Sequence, residues 1–218
     1  MAIISHQHRL VFFPLAKNCS SSIKHLFYEL ETGLPFRQAR KKYNLVGHVH
    51  NYYPSLPREK WLPIFAAYDS MVIVREPIKR FLSAYANRVV HIKALETVGT
   101  AAKTINASPH SLQPTLEEFV QNLEFYCEAS PYIRNHVAPQ QSVIGKFFPQ
   151  IKRVYDPAQV PDLEAFLSER YEKPIVLPRE QSGGPKLTTQ DLSRSSLKKL
   201  KRFYKNDYAM LSEFYKRP

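Results

Sequence analysis

The 218-residue sequence predicts an α/β domain built around a central parallel sheet. Two short apolar runs at 10–14 and 70–74 and a third β-like run at 153–155 carry that prediction. Each is followed by a polar or proline-containing turn and then by apolar residues at three-and-four spacing. Strands that alternate with helices of this length join in parallel through crossover helices. No internal repeat and no linker interrupts the pattern, so residues 1–218 read as one domain.

The first unit opens with LVFFP at 10–14, continues through a polar stretch from Lys17 to Ser22, and enters a helix marked by Ile23, Leu26, Phe27 and Leu30. The second runs SMVIV at 70–74, then Arg75-Glu76-Pro77, then a helix over 78–90 with Ile78, Phe81, Leu82 and Tyr85 as its apolar stripe. Pro77 suits the first turn of that helix, where its missing N–H is not needed. Residues 93–114 are small and polar and read as a loop or lid, and Thr115 opens a helix through Cys127. The third run, 153–155, precedes a helix over 161–171 with Leu163, Phe166 and Leu167 on one side. QSGGPK at 181–186 holds two of the six glycines and reads as the most flexible segment. A single closing helix is expected from Leu197 to Tyr215.

The net charge of +12 and pI near 9.7 point to an anionic partner: nucleic acid, a membrane surface, an acidic glycan or a phosphorylated cofactor. Cys19 and Cys127 are too few for a disulfide framework, which fits a reducing compartment. His6, His8 and Arg9 break the apolar run at the N-terminus, so it does not read as a signal peptide. No stretch approaches the roughly 18 consecutive apolar residues of a membrane span. A cytoplasmic location without an integral membrane anchor is the expectation.

Two segments carry the chemistry. PLAKNCSSSIK at 14–24 puts Lys17 at a strand exit and Ser20, Ser21 and Ser22 at a helix start, with Lys24 just inside. A helix N-terminus offers unpaired backbone N–H groups and a partial positive charge, and serine hydroxyls add rotatable donors, so the segment reads as a phosphate site. A plain N-cap would also use serine, but not three in a row between lysines. The loop lacks the glycines of G-x-x-x-x-G-K-[ST], which argues against a nucleoside triphosphatase. IVREPIKRFLSAY at 73–85 puts Arg75 at the end of a strand, with Arg80 and Ser83 one helical step apart. Arginine can hold phosphate through two parallel hydrogen bonds.

Taken together, these segments resemble the sulfotransferases that use 3′-phosphoadenosine 5′-phosphosulfate (PAPS), with the closest likeness to the carbohydrate and the uronyl and heparan 2-O-sulfotransferase group. The resemblance implies a three-layer α/β/α domain with a nucleotide-kinase-like, P-loop-related fold. It implies PAPS as co-substrate, no metal, and a hydroxylated acceptor, a glycan rather than nucleic acid. Carried over by position, Lys17, Asn18, Cys19, Ser20, Ser21 and Ser22 hold the 5′-phosphosulfate. Arg75 and Ser83 hold the 3′-phosphate with Arg80 in support. Apart from the resemblance, Lys186 in the Gly183-Gly184-Pro185-Lys186 loop is placed to close over that phosphate, the alternative being a mobile turn. Ala16 stands where the family has proline, and Glu76 where it has aspartate. NHVAPQ at 135–140 and YKNDYAMLSEFY at 204–215 also resemble family segments.

Transfer to a hydroxyl needs a base, and neutral imidazole serves near physiological pH. Gly47-His48-Val49-His50 offers two histidines, which fall on one side if the segment is extended. The resemblance to a Gly-His-Val segment selects His48, with His50 and His136 left to bind substrate. Lys17 is the group that meets charge on the departing oxygen. Two further readings make distinct predictions. A small-molecule kinase would need ATP and Mg²⁺. A non-catalytic polyanion-binding protein would bind in a steeply salt-dependent way and would not need Lys17.

Overall fold

The computed structural model describes residues 2–53, 58–180 and 183–217. The chain forms two compact units, each assembled from two stretches: Met1–Val74 with Lys146–Gln181, and Arg75–Gly145 with Ser182–Pro218.

The first unit holds a four-stranded sheet in the order β1 (Ile3–Ser5), β2 (Leu10–Phe12), β3 (Asp69–Ile73), β4 (Arg153–Tyr155). β2, β3 and β4 are parallel, with Phe12 opposite Met71 and Met71 opposite Arg153. β1 is antiparallel to β2, pairing Ile3 with Phe12 and Ser5 with Leu10, so the sheet is mixed rather than purely parallel. The correction has a local cause. Arg9 takes a left-handed conformation (φ 53°) and its N–H reaches the His6 carbonyl, closing a hairpin within the polar residues that interrupt the N-terminal apolar run.

All three residues of β2 and the last four of β3 are buried, as expected for parallel strands covered on their faces. Alternation sends Leu10, Phe12, Met71 and Ile73 into a core with Ile23 and Phe27 of the Ser20–Thr32 helix and Leu163 and Leu167 of the Val160–Tyr171 helix. Phe13, one residue beyond β2, stacks instead on Trp61 and Phe65 of the Trp61–Ala67 helix at 4.8 and 4.9 Å.

The second unit is helical. Pro77–Ala84 leads into a π-helical stretch, Tyr85–His91, where a continuous α-helix was expected. Ile78, Phe81, Leu82 and Tyr85 pack with Phe119, Leu123, Tyr126, Leu200 and Tyr204. Residues 93–114 are not simply a loop: they contain the helices Ala94–Thr97 and Ala101–Asn106, anchored by the fully buried Leu95 and Ile105. Two anchors among many small residues leave a weak periodic signal. The helix opened by Thr115 carries a capping box with Glu118 but breaks at Asn122 into Leu116–Gln121 and Leu123–Ala129. The closing helix likewise divides at Tyr204 into Arg194–Phe203 and Lys205–Met210. Among the described residues, no helix is long and apolar enough to cross a membrane.

Candidate functional site

In the first unit the chain leaves β2 and turns through 15–19 into the Ser20–Thr32 helix. Lys17 (φ 68°) and Cys19 (φ 57°) both adopt left-handed conformations, which non-glycine residues hold only where the surroundings enforce them. Between them the Asn18 N–H closes the turn by donating to the Leu15 carbonyl at 3.2 Å. The buried Asn18 side chain donates to the Ile73 carbonyl (2.9 Å), fixing the loop against the end of the neighbouring parallel strand. Cys19 stands at the N-cap without a side-chain cap bond, and the first turn holds no acidic residue. The N-terminal end of this 13-residue helix thus keeps its N–H groups and positive field for an external anion. Ser21 and Ser22 are buried within it, and Ser22 Oγ accepts the Glu180 N–H at 3.3 Å. Lys17 and the three serines carry donors of the kind that phosphate or sulfate oxygens accept, while Asn18 spends its N–H and side chain on the Leu15 and Ile73 carbonyls.

Lys24 is only 2% exposed, and burial lowers its ammonium to about 8. It bonds His50 Nδ1, while His50 Nε2 lies 3.2 Å from Ser21 Oγ. The 47–50 segment is a turn rather than a strand: Gly47 (φ 91°) leads to His48, which caps the 3₁₀ turn Val49–Tyr52 by accepting the His50 N–H at 3.3 Å. The two imidazoles nonetheless share a side, stacked 4.4 Å apart. His48 is exposed and His50 half-buried. His25 meets His48 edge-on and lies 4.0 Å from Glu180; burial lowers its pKa despite that carboxylate.

In the second unit Arg75 begins the turn before the Pro77–Ala84 helix, and its main chain is clamped by one side chain. Gln140 Oε1 accepts the Arg75 N–H (3.1 Å) and Gln140 Nε2 donates to the Arg75 carbonyl (2.8 Å). Asp207 in turn accepts the N–H groups of Gln140 and Gln141 at 2.9 and 2.7 Å. Arg80, 2% exposed, donates to the carbonyls of His136, Val137 and Ala138 and so orders the 136–138 segment. Tyr204 donates to the Val137 carbonyl (2.6 Å), and Tyr208 donates to Glu76, whose other oxygen caps Lys79 N–H. The three segments singled out in sequence, 73–85, 135–140 and 204–215, are thereby one hydrogen-bonded network. Reading the sequence found these segments but not this linkage, because Gln140 and Asp207 act on backbone groups more than sixty positions away.

Ser83 is half-buried on the Pro77–Ala84 helix. His136 Nδ1 donates to the Tyr132 carbonyl at 2.8 Å. Lys186 is exposed; Gln181 and Ser182 of the same segment lie outside the described residues. Gly183 and Gly184 seat this segment on the π-helical stretch, since a Cβ on Gly183 would strike the His91 ring and one on Gly184 (φ 92°) the Ala86 carbonyl. Cys19 and Cys127 are thiols, with burial raising Cys127 to about 11. Among the described residues, no group of three His, Cys, Asp or Glu side chains is arranged to hold a metal ion.

Compared with known proteins, the chain matches the family model described as Sulfotransferase family over residues 1–215. No curated protein and no solved structure matches it. With the family match covering almost every residue, the chain belongs to the sulfotransferase family, whose members transfer sulfuryl groups.

Proposed function

We propose that this protein transfers the sulfuryl group of PAPS to a carbohydrate hydroxyl, within a three-layer, nucleotide-kinase-like domain in the cytoplasm. The observation that carries the reading is the uncapped, acid-free helix N-terminus behind Lys17, which presents donors to an anion. The residues fit the co-substrate: Lys17, Cys19 and Ser20 to Ser22 take the 5′-phosphosulfate, and Arg75 and Ser83 the 3′-phosphate. Lys186 supplies a further cation to the 3′-phosphate. PAPS supplies an activated sulfur bonded to a phosphate oxygen that can depart.

Lys17 stabilises negative charge on that bridging oxygen as the S–O bond breaks and the acceptor oxygen bonds to sulfur. His48 takes the hydroxyl proton. It is the exposed histidine of the stacked pair, whereas both ring nitrogens of His50 face side chains of the Ser20–Thr32 helix. Because His48 Nδ1 accepts a backbone N–H, its neutral ring carries the proton at Nε2. Proton uptake by His48 therefore requires that capping bond to open. One observation favours a second reading: the Tyr132 carbonyl can only accept, so His136 carries its proton at Nδ1 and has its basic lone pair at Nε2.

Calorimetry with the product nucleotide, 3′-phosphoadenosine 5′-phosphate (PAP), tests the binding part. Tight binding in EDTA supports sulfotransfer. A requirement for ATP and Mg²⁺ points to a kinase, and no nucleotide affinity at all points to a polyanion-binding protein. For the base, His48→Ala should abolish labelled sulfate transfer while PAP affinity stays within about threefold. Loss of transfer in His136→Ala, with His48→Ala active, moves the role to His136.

A further inference from the structure

His50 occupies a position that the transfer chemistry does not use. Its ring lies between Ser21 Oγ and Lys24 Nζ, two groups of the helix that begins the anion loop. Lys24 is almost wholly buried, and among the described residues it makes no ion pair with a carboxylate. A buried ammonium is tolerated only where its hydrogen bonds are met. Tyr53 reinforces the attachment by donating to the Lys24 carbonyl at 2.9 Å.

These partners settle the direction of each bond. An ammonium has donors and no acceptor, so Nδ1 of His50 must accept from Lys24. The neutral ring then carries its proton on Nε2, which donates to Ser21 Oγ. With that oxygen accepting from imidazole, the Ser21 hydroxyl proton is directed elsewhere. With the opposite tautomer Ser21 would donate to His50, and its proton would be drawn away from an anion.

We infer that His50 is a positioning residue: oriented by Lys24, it holds Ser21 as a hydrogen-bond donor to the anion bound at the N-terminus of this helix. The inference rests on the reading that residues 17–22 grip the 5′-phosphosulfate. Burial leaves Lys24 largely protonated at neutral pH, as the arrangement requires. His50 thereby differs from its stacked neighbour His48, which caps a turn and meets solvent.

The test is PAP affinity measured by calorimetry at pH 7 on the full chain, for the wild type, His50→Ala, His50→Gln, Ser21→Ala and the His50→Ala/Ser21→Ala double variant. His50→Ala should weaken PAP binding about tenfold, the scale of one well-aligned hydrogen bond at a charged ligand. His50→Gln, whose amide N–H reaches the place of Nε2–H, should recover most of that loss. In the double variant the loss should match Ser21→Ala alone, because both changes remove the same donor. Wild-type affinity in His50→Ala, or losses that multiply in the double variant, would overturn the inference. If the wild type binds no PAP, the proposed function and this inference fail together. Should His50→Ala not fold, Ser21→Ala and His50→Gln still decide: unchanged affinity in the former, or a full tenfold loss in the latter, overturns it.

Discussion

Around Lys17 the donors lie in one contiguous stretch, whereas around Arg75 the main chain is held by a side chain from a distant stretch, itself held by another. The first segment places two left-handed residues, an uncapped helix start and three serines in one short run, and Asn18, Ser21 and Ser22 tie it to Ile73, His50 and Glu180. The second owes its backbone position to Gln140, and Gln140 to Asp207. Arg80, Tyr204 and Tyr208 tie the same segments together again. A locally built site concentrates its failure in a few contiguous residues, while a site held by a relay fails wherever the relay is cut.

Cutting the relay at its buried end should have the largest effect. Asp207→Ala strands the buried Gln140 N–H and the half-buried Gln141 N–H that now share one carboxylate, so unfolding free energy should fall by about 3 kcal/mol in urea titrations. A loss below about 0.5 kcal/mol would show that the network is not cooperative. Gly184→Ala asks whether the Lys186 segment is held as firmly as Arg75. Its positive φ and the Ala86 carbonyl beneath it predict a loss of about 2 kcal/mol, read as a lower thermal midpoint. An unchanged midpoint would mean that the segment lifts away at no cost. Gln140→Ala should reduce PAP affinity about fivefold by loosening the Arg75 main chain while Arg75 itself remains.

The smallest effect belongs to the Lys17 side of the comparison. Burial lowers Lys24 from 10.5 to about 8 in the folded chain, so between those values the unfolded state binds the additional proton. Stability from this group therefore rises with pH from about 8 to about 10. Lys24→Met should flatten that rise in denaturation midpoints measured against pH, and an unaltered slope would contradict the burial of its charge.

The same contrast explains what could be read in the sequence. The parallel strands were legible because 10–14 and 70–74 are apolar runs, and 153–155 a β-like one, each followed by helical spacing, and the Lys17 loop was legible because its donors are contiguous. β1 was obscured because Ile3 and Ile4 pair through a turn of polar residues, and the break at Tyr204 because the apolar three-and-four spacing runs through it unchanged. The π-helical stretch after Ala84 follows a sequence whose apolar spacing does not differ from that of an α-helix. Lys24 and His50 were visible as charge and imidazole, but their joining lies in the turn that Gly47 begins.

The proposal that Lys17 and Arg75 recognise different phosphates of one nucleotide is tested directly by the ratio of affinities for PAP and adenosine 5′-phosphate. The wild type should prefer PAP by about a hundredfold, since the added phosphate gains charge-assisted bonds to arginine. Arg75→Ala should erase that preference, while Lys17→Ala should weaken both nucleotides and preserve the ratio. An Arg75→Ala variant that still favours PAP as strongly as the wild type would contradict the account.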